Sequence, residues 1–289
     1  CIPSKALLQS SEEYHKALHG LSDHGIGVSG VSLDLSRMQA RKGEVVGANT
    51  KGVEFLFRKN KVTWLKGEGR IVAPGQVEVA GTVHAAKNIV IATGGAPERP
   101  AIPGAELAII SDDTFYLPEM PKKIAIVGSG FIAVEFAGIF QALGAEVHLI
   151  YRQPLPLRGF DEDLREGLAE AMAAQGIQLH PGCHPEKIEA GGSGRILTYG
   201  GGQTLDVDTV FLATGRRPAT GRLGLPNAGV TVNKAGAVAI DTKNRTSAPN
   251  IYAIGDVTDR INLTPFAIAE AHALADTLFG NRPRSVSLD

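Results

Sequence analysis

The sequence predicts an α/β fold built on a parallel sheet. Three features predict it: an apolar strand, a helix and a second apolar strand follow one another over residues 122–151, the 35 glycines fall in short clusters between apolar runs, and 43% of the 289 residues are hydrophobic. A strand–helix–strand order is expected to give parallel strands joined by a right-handed crossover. A chain of this length and composition is expected to be globular, with two domains rather than one.

The first half of the chain begins with two expected helices, over residues 1–19 and from residue 34 towards residue 60. Pro3 suits the first turn of the first helix, and the second helix carries an apolar stripe. The stripe consists of Val45, Val46, Val53, Leu56 and Phe57. Strands are then expected over residues 62–66, 70–73, 76–79 and 88–92.

The second half is expected to form a strand over residues 122–127, a helix over 130–143, a strand over 146–151 and a helix over 161–175. Short strands broken by glycine runs at 191–194 and 200–202 follow, and then a core strand over 209–213. A strand over 251–254 and a helix over 265–279 complete the pattern. Thr264 is the expected N-cap of that helix, because a threonine oxygen accepts from free amides at a helix start.

Residues 128–133 match the G-x-G-x-x-G/A fingerprint of dinucleotide-binding loops. The first glycine makes the tight turn, the second lets the backbone approach a pyrophosphate, and the small last residue lets helix and strand pack closely. The string alone is a weak signal, but here it stands between a strand and a helix and is followed by a second strand. The residues expected to face the nucleotide are Gly128, Ser129, Gly130, Phe131 and Ile132.

The end of the second strand predicts which nucleotide binds. An NAD site usually has an acidic residue there, whereas this chain has Arg152 and no carboxylate until Asp161. Arg152 and Arg158 are spaced so that both could bind the 2′-phosphate of NADP, which guanidinium groups hold through charged hydrogen bonds. The alternative is two solvated arginines at the end of a strand.

Glu135 lies in a helix that is apolar on nearly every side, so its carboxylate is expected to need a cation. The alternative is that Glu135 points to water. Cys1 directly precedes a helix start, where the helix dipole favours a thiolate, although one cysteine alone indicates a structural thiol by default. Cys183 has His184 beside it but no further metal ligand at a useful spacing, so a surface thiol and no metal site are expected.

The charge balance, 29 Lys and Arg against 30 Asp and Glu, gives no reason to expect nucleic acid or a membrane as a partner. No apolar run approaches the roughly 18 residues that a spanning helix needs. Two cysteines are too few for a secreted disulfide scaffold, so a cytoplasmic location is expected. Since the chain opens with Cys1 rather than Met, an earlier segment, with any targeting signal, is expected to be missing.

These residues together resemble the FAD-dependent pyridine nucleotide–disulfide oxidoreductases, over the entire chain. Residues 1 to about 90 are most similar to dihydrolipoamide dehydrogenase, through the motifs at 1–8 and 53–57. Residues from about 95 onward are similar to glutathione reductase, through the motifs at 131–138 and 261–265 and the pair Arg152 and Arg158. The different resemblances of the two parts leave the substrate open.

The resemblance implies two Rossmann-like dinucleotide-binding domains, each with a parallel sheet and a β-meander, the NADP domain being inserted into the FAD domain. Residues 1–116 would belong to an FAD domain that lacks its first βαβ unit, residues 117–218 to the NAD(P) domain, and residues 219–289 to the return into the FAD and central domain. The family's C-terminal dimerisation domain would be absent, and the parent enzyme would be a homodimer.

The resemblance also implies roles for single residues. Cys1 would be the second cysteine of a C-x-x-x-x-C redox pair, Lys5 and Glu135 would pair beside the flavin and nicotinamide, and Phe131 stands where glutathione reductases usually carry a tyrosine. Glutathione reductases usually have a lysine at the position of Ser4. The residues implied to contact FAD are Gly69, Thr93, Gly94, Gly95, Asp256 and Thr264, while Gly215 and Arg216 would border the NADP site.

The function that follows from the resemblance is transfer of electrons from NADPH through FAD to a disulfide containing Cys1, and from there to a small disulfide substrate. A dihydrolipoamide dehydrogenase that uses NAD is the first alternative. A non-catalytic nucleotide-binding fragment is the second, because essential parts of the family's enzymes are missing. A flavoenzyme without disulfide chemistry, in which Cys1 is incidental, is the third.

Overall fold

The computed structural model describes residues 1–192 and 194–287. The predicted glycine-rich break at 191–194 contains Ser193, which lies outside the described residues. The first half of the chain has three helices, α1 (Ile2–His19), α2 (Leu35–Lys59) and α3 (Ser111–Thr114). Its strands are β1 (Gly69–Ala73), β2 (Gln76–Val79), β3 (Thr82–Ala85), β4 (Ile89–Ile91) and β5 (Gly95–Pro97).

The second half continues with β6 (Lys123–Val127), α4 (Phe131–Ala142), β7 (Glu146–Tyr151) and α5 (Glu162–Ala174). Six strands follow, β8 (Gln178–Pro181), β9 (Pro185–Gly191), β10 (Gly194–Tyr199), β11 (Gln203–Val207), β12 (Thr209–Leu212) and β13 (Arg216–Pro218). The last elements are β14 (Ile251–Ala253), a 3-10 turn (Gly255–Thr258) and α6 (Thr264–Phe279).

The chain divides into two compact units, each assembled from two separate segments. The first unit contains Cys1–Lys61 and Pro97–Gly215, and the second contains Val62–Ala96 and the chain from Arg216 onward. Each unit has hydrophobic cores of its own. The assignment of cofactors to residues 1–116, 117–218 and 219–289 stays a prediction.

The first unit is built on a parallel sheet in the order β12-β6-β7-β8. Four of the five residues of β6, and five of the six of β7, are buried. Strands that are apolar along almost their whole length are typical of a parallel sheet covered on both faces. A three-stranded antiparallel sheet, β11-β10-β9, belongs to the same unit.

Helix α4 links β6 to β7 and buries one face in the core of the first unit. Ala133 and Ala137 are fully buried on that face, and Phe136 meets Phe211 of β12 edge-on, with the ring centroids 5.3 Å apart. The two alanines let the helix approach closely, and the large aromatic rings fill the remaining volume. Helix α1 packs against both α2 and α4.

The second unit contains an antiparallel meander and a short parallel pair. The meander has the order β1-β2-β3, and β14 pairs with β4 in parallel, with Ile251 opposite Ile89 and Ala253 opposite Ile91. All four of these side chains are buried. They form the centre of an apolar cluster.

The structure confirms the α/β class, the parallel sheets and the strand–helix–strand unit around the fingerprint loop. Three local predictions are wrong. Residues 62–66 form no strand, and the third strand of the meander is β3, which the sequence pattern did not indicate. The N-cap of α6 is Leu263 rather than Thr264, which is instead the first helical residue.

The apolar stripe predicted on α2 is also not its main buried face. Val53 and Leu56 are 48% and 52% exposed, whereas the buried residues of α2 are Met38 and Lys42. Lys42 donates a hydrogen bond from its ammonium group to the carbonyl of Phe115. The helix therefore packs through its N-terminal half, where a lysine stem takes the place of an apolar side chain.

Candidate functional site

The first unit contains a cavity of about 630 Å³ at the carboxyl ends of its parallel strands. Its walls come from the loop after β6, the segment after β7, the segment after β12 and the chain around Glu98. The residues of the fingerprint loop that line it are Gly128, Ser129, Gly130 and Phe131. Open α/β sheets bind ligands outside the carboxyl ends of their strands, so this cavity is the candidate dinucleotide site.

Gly128 makes the turn that ends β6, and only glycine fits there. Its φ is +131°, and a Cβ atom would lie 2.2 Å from the carbonyl oxygen of Ala213. The amide of Gly128 donates to the carbonyl of Ile150 at 2.9 Å, which fixes the loop to the end of β7. The close packing of three chain segments therefore requires a residue without a side chain.

Gly130 leaves the start of α4 open towards the cavity. It is the N-cap residue, makes no side-chain capping bond, and a Cβ atom placed on it would meet nothing within 4 Å. The free amides at the start of α4 therefore carry the partial positive charge of the helix dipole at the cavity wall. Phe131 begins the helix, with its ring 53% exposed, and Ile132 follows it half-buried.

Arg152 and Arg158 both line this cavity. Both residues are exposed, and within residues 1–192 and 194–287 neither guanidinium forms an ion pair. The loop that carries them is joined to the fingerprint, because the amide of Leu157 donates to the carbonyl of Ser129 at 2.8 Å. The sequence-predicted pair therefore stands at the same cavity as the glycine loop, with its charge available to an anion.

Arg165 is a residue of this region that the sequence reasoning missed. From α5 it donates to the carbonyls of Pro156 and Leu155, at 2.8 and 3.2 Å. These bonds hold the backbone of the arginine-bearing loop. No sequence signal distinguishes Arg165 from any other helix-surface arginine, because its partners are main-chain oxygens.

The opposite wall contains Glu98, Thr214 and Gly215. The Thr214 hydroxyl donates to the carbonyl of Glu98 at 2.8 Å, and the Glu98 amide donates to the carbonyl of Gly215 at 3.0 Å. Tyr151 and Cys183 also line the cavity. Burial raises the pKa of the Tyr151 hydroxyl above its usual value.

Lys5 and Glu135 form the ion pair that the sequence predicted, joining α1 to α4 within the first unit. The Glu135 side chain is 24% exposed and that of Lys5 58%. Cys1 is exposed, carries a free thiol and is the N-cap residue of α1. The amide of Lys5 donates to the carbonyl of Cys1 at 3.0 Å, so the thiol and the ammonium group stand on successive turns of one helix.

The residues implied to contact FAD belong to the second unit. Thr93 and Gly94 form hydrogen bonds with Ala219. The Thr93 hydroxyl donates to the carbonyl of Ala219 at 3.0 Å, and the Ala219 amide donates to the carbonyl of Gly94 at 2.9 Å. Arg216, also in this unit, donates to the carbonyl of Gly95. The other implied contacts are Gly69 at the start of β1, Asp256 in the turn after β14 and Thr264 in the first turn of α6.

Two further structural findings bear on function. No group of three or more His, Cys, Asp or Glu side chains in the described part of the chain is arranged to hold a metal ion. None of the helices in the described ranges combines the length and apolar character needed to cross a bilayer.

The chain matches known proteins along most of its length. Residues 1–271 match the family model of the pyridine nucleotide-disulphide oxidoreductases. The chain is 41% identical over 283 residues to a glutathione reductase of Burkholderia cepacia, and this alignment covers 98% of this chain and 63% of that protein. It is 38% identical over 295 residues to a dihydrolipoyl dehydrogenase of Cupriavidus necator, covering 98% and 62% respectively.

A solved structure agrees with these sequence matches. The HOCl-induced flavoprotein disulfide reductase RclA from Escherichia coli superposes with a TM-score of 0.86 at 28% identity, over 99% of this chain and 62% of that one. The chain thus spans less than two thirds of the length of these relatives. The match over residues 1–271 and the two relatives matched along 98% of the chain confirm the resemblance found in the motifs. The chain belongs to the pyridine nucleotide-disulphide oxidoreductase family.

Proposed function

We propose that this chain is the nucleotide-binding body of a flavoprotein disulfide oxidoreductase that takes electrons from NADPH and delivers them to a small disulfide substrate. The observation that carries the choice of NADPH is the pair Arg152 and Arg158, which line the same cavity as the fingerprint loop and form no ion pair with any residue that the structure describes. An adenosine 2′-phosphate brings the charge that two such guanidiniums bind best. Family membership supports FAD and a nicotinamide nucleotide as the cofactors.

The residues of the first unit suit the binding of a dinucleotide. The backbone at Gly128 and Gly130 leaves room for a pyrophosphate, and the amides at the start of α4 stabilise its charge. Arg165 holds the loop between Arg152 and Arg158, which limits the conformational entropy that loop loses on binding. Phe131 offers an exposed ring beside this loop, suited to cover a nicotinamide.

The redox end of the proposal rests on α1. Bound FAD and the nicotinamide nucleotide supply the hydride and electron transfer. Cys1 at the helix start would form a disulfide with a cysteine five positions earlier, and two electrons with two protons convert that disulfide into two thiols. Lys5 lies one turn along α1 from Cys1, and its ammonium group is held by Glu135. The thiolate of a cysteine is the form that attacks a disulfide substrate.

The test of this proposal compares the affinities of NADPH and NADH in the variant Arg152→Gln/Arg158→Gln. The NADPH dissociation constant is expected to rise at least about tenfold, with that of NADH little changed, because only NADPH carries the 2′-phosphate. Arg222→Gln is the matched control, since Arg222 is a highly exposed arginine of the other unit. Equal weakening of both coenzymes, or of neither, would remove NADPH from the proposal.

A dihydrolipoyl dehydrogenase that uses NAD is the second candidate, favoured by the 38% identical relative of that name. Wild-type protein that binds NADH as tightly as NADPH would favour this candidate. A nucleotide-binding module without turnover is a third candidate, in which the cavity beside the fingerprint loop binds the coenzyme alone. Purified protein without a flavin spectrum that still binds the coenzyme would favour the module.

A further inference from the structure

The second unit contains a wholly buried carboxylate, Glu270, in the middle of α6. Its exposed fraction is 0%, the lowest of any charged residue in the described part of the chain. Three donors from three chain segments converge on it. The amide of Gly255 donates to Oε2 at 2.7 Å, the Asn244 side chain donates to Oε1 at 3.3 Å, and the guanidinium of Arg260 pairs with the same Oε1.

A buried carboxylate of this kind is a poor way to stabilise a fold. Removing two charged groups from water is costly, and well-packed apolar side chains of similar volume often give equal or greater stability. Buried ion pairs do, in some proteins, impose one specific arrangement of the chain. Glu270 is therefore expected to order the chain segments that it binds.

One of these segments is the turn that holds Asp256. Gly255 has a φ of +71°, and a Cβ atom on it would lie 3.3 Å from the Cβ of Ala267 in α6. The turn is closed by the Thr258 hydroxyl, which donates to the carbonyl of Gly255 at 2.8 Å. The bond from the Gly255 amide to Glu270 therefore sets the position of this turn along α6.

The second segment is the start of α6 itself. Arg260 stands four residues before Thr264, and its guanidinium lies 5.8 Å from the ring centroid of Phe266 in the first turn of the helix. Its side chain is 20% exposed. Pairing with Glu270 thus holds the chain that leads into the free amides of the helix start.

We propose that Glu270 is a positioning residue that fixes the Asp256 turn and the start of α6 relative to each other, so that both are preorganised for the flavin. This inference rests on the proposed function, in which Asp256 and Thr264 contact FAD. Asn244 completes the arrangement, because its side chain also donates to the carbonyl of Ala253, the last residue of β14, at 3.0 Å. Strand, turn and helix start are thereby joined through one carboxylate.

The test separates positioning from stability with the double variant Glu270→Met/Arg260→Met, which replaces the ion pair by two apolar side chains. We expect its midpoint of thermal unfolding in the flavin-free state to fall only modestly, because no charge is left unpaired, the Asn244 side chain keeps its bond to the carbonyl of Ala253, and only the Gly255 amide loses its acceptor. The dissociation constant for FAD is expected to rise at least about tenfold, and the visible absorption bands of the bound flavin to shift. His272→Gln, an exposed position on the same helix, is the control with unchanged FAD binding.

Hydrogen exchange of the Gly255 amide in flavin-free wild-type protein is the second measurement, and it needs no variant. We expect slow exchange, because the amide is bound to a buried acceptor. Free exchange of this amide, or a double variant that binds FAD with wild-type affinity and spectrum, would overturn the positioning role while leaving the flavin site in place. Wild-type protein that does not bind FAD at all would instead overturn the proposed flavin site, and the inference with it.

Discussion

Lys5 and Glu135 show how far sequence reasoning reaches at the scale of a residue. A carboxylate within an apolar helix run predicts a cation partner, the family resemblance implies that this partner is Lys5, and the structure pairs the two. The pair is half open to solvent on the lysine side, so it is expected to contribute only about 0–1 kcal/mol to the free energy of unfolding. Its importance is therefore expected to lie in orienting the Lys5 ammonium group rather than in stability.

Glu270 is the counterexample at the same scale. It also lies in an apolar helix run, but two of its partners could not be read from the sequence. One is a main-chain amide, and another is Asn244, whose left-handed backbone conformation, with φ of +60°, directs its side chain into the unit. Hydrogen bonds to the backbone carry no residue-type signal, so the sequence predicted the helix and missed its buried carboxylate.

Replacing Gly128 by alanine is expected to destabilise the fold, and the same replacement at Gly138 serves as the control. Gly128→Ala is expected to lower the free energy of unfolding by at least about 1–3 kcal/mol, because alanine would be strained at φ +131° and its Cβ would clash with the carbonyl of Ala213. Gly138→Ala, in the interior of α4 with open space around it, is expected to raise stability by about 0.5–1 kcal/mol. Urea unfolding measures both, and destabilisation of equal size in both variants would contradict the requirement for glycine at Gly128.

At the scale of elements, the parallel sheet was predictable and the meander was only partly so. Strand β6 is apolar after Lys123, and β7 is buried at five of its six positions although one of these is His148, a pattern typical of a parallel sheet covered on both faces. Residues 62–66 have alternating apolar side chains but form no strand, and Val62 and Trp64 are about half exposed. A strand needs a neighbour to pair with, and the pattern of a single segment does not reveal whether one is present.

The two sheets of the first unit meet at a chain of titratable side chains. His148 on β7 lies 3.0 Å from His180 on β8, between ring nitrogens, and the Tyr199 hydroxyl on β10 lies 3.3 Å from the other nitrogen of His180. At the end of this chain nearest the solvent, the Nε2 atom of His148 lies 2.9 Å from a carboxylate oxygen of Glu146. Burial, and then the proximity of His148, lowers the pKa of His180 below its usual value of 6.5.

This arrangement predicts a loss of stability on acidification. As pH falls below about 6.5, the unfolded chain binds a proton at His180 before the folded chain does, so the free energy of unfolding decreases. The variant His180→Gln is expected to show a shallower decrease between pH 7.5 and about 5.5 in urea titrations, and His24→Gln, an exposed position in a 3-10 turn, serves as the control. A slope unchanged in His180→Gln would show that other groups cause the acid sensitivity.

At the scale of the whole molecule, the order of segments along the chain does not follow the compact units. The first unit joins Cys1–Lys61 to Pro97–Gly215, so α1 packs against α4 across more than a hundred residues of sequence. Periodicity reports on one segment at a time and does not show which distant segments share a core. The grouping of α2 with the fingerprint sheet could therefore not be predicted from the motifs, whereas the expected pair Lys5–Glu135 already joined α1 to α4.

The placement of the candidate residues in separate units predicts separate responses to the two cofactors. NADP⁺ is expected to slow amide hydrogen exchange in the first unit, at residues 128–133 and at Leu157, because the ligand covers the start of α4 and the bond from Leu157 to Ser129. FAD is expected to slow exchange in the second unit, at the turn Gly255–Thr258 and in the first turn of α6.

A bound ligand stabilises only the states that contain its site, and a hundredfold excess of ligand over Kd stabilises these states against opening by about 2.7 kcal/mol. The Arg152→Gln/Arg158→Gln variant, measured at the same NADP⁺ concentration, should lose about 1.3 kcal/mol of this protection in the first unit for each tenfold rise in Kd, and keep the response of the second unit to FAD. Protection by NADP⁺ that appears only in the second unit would contradict the placement of the coenzyme site beside Gly128.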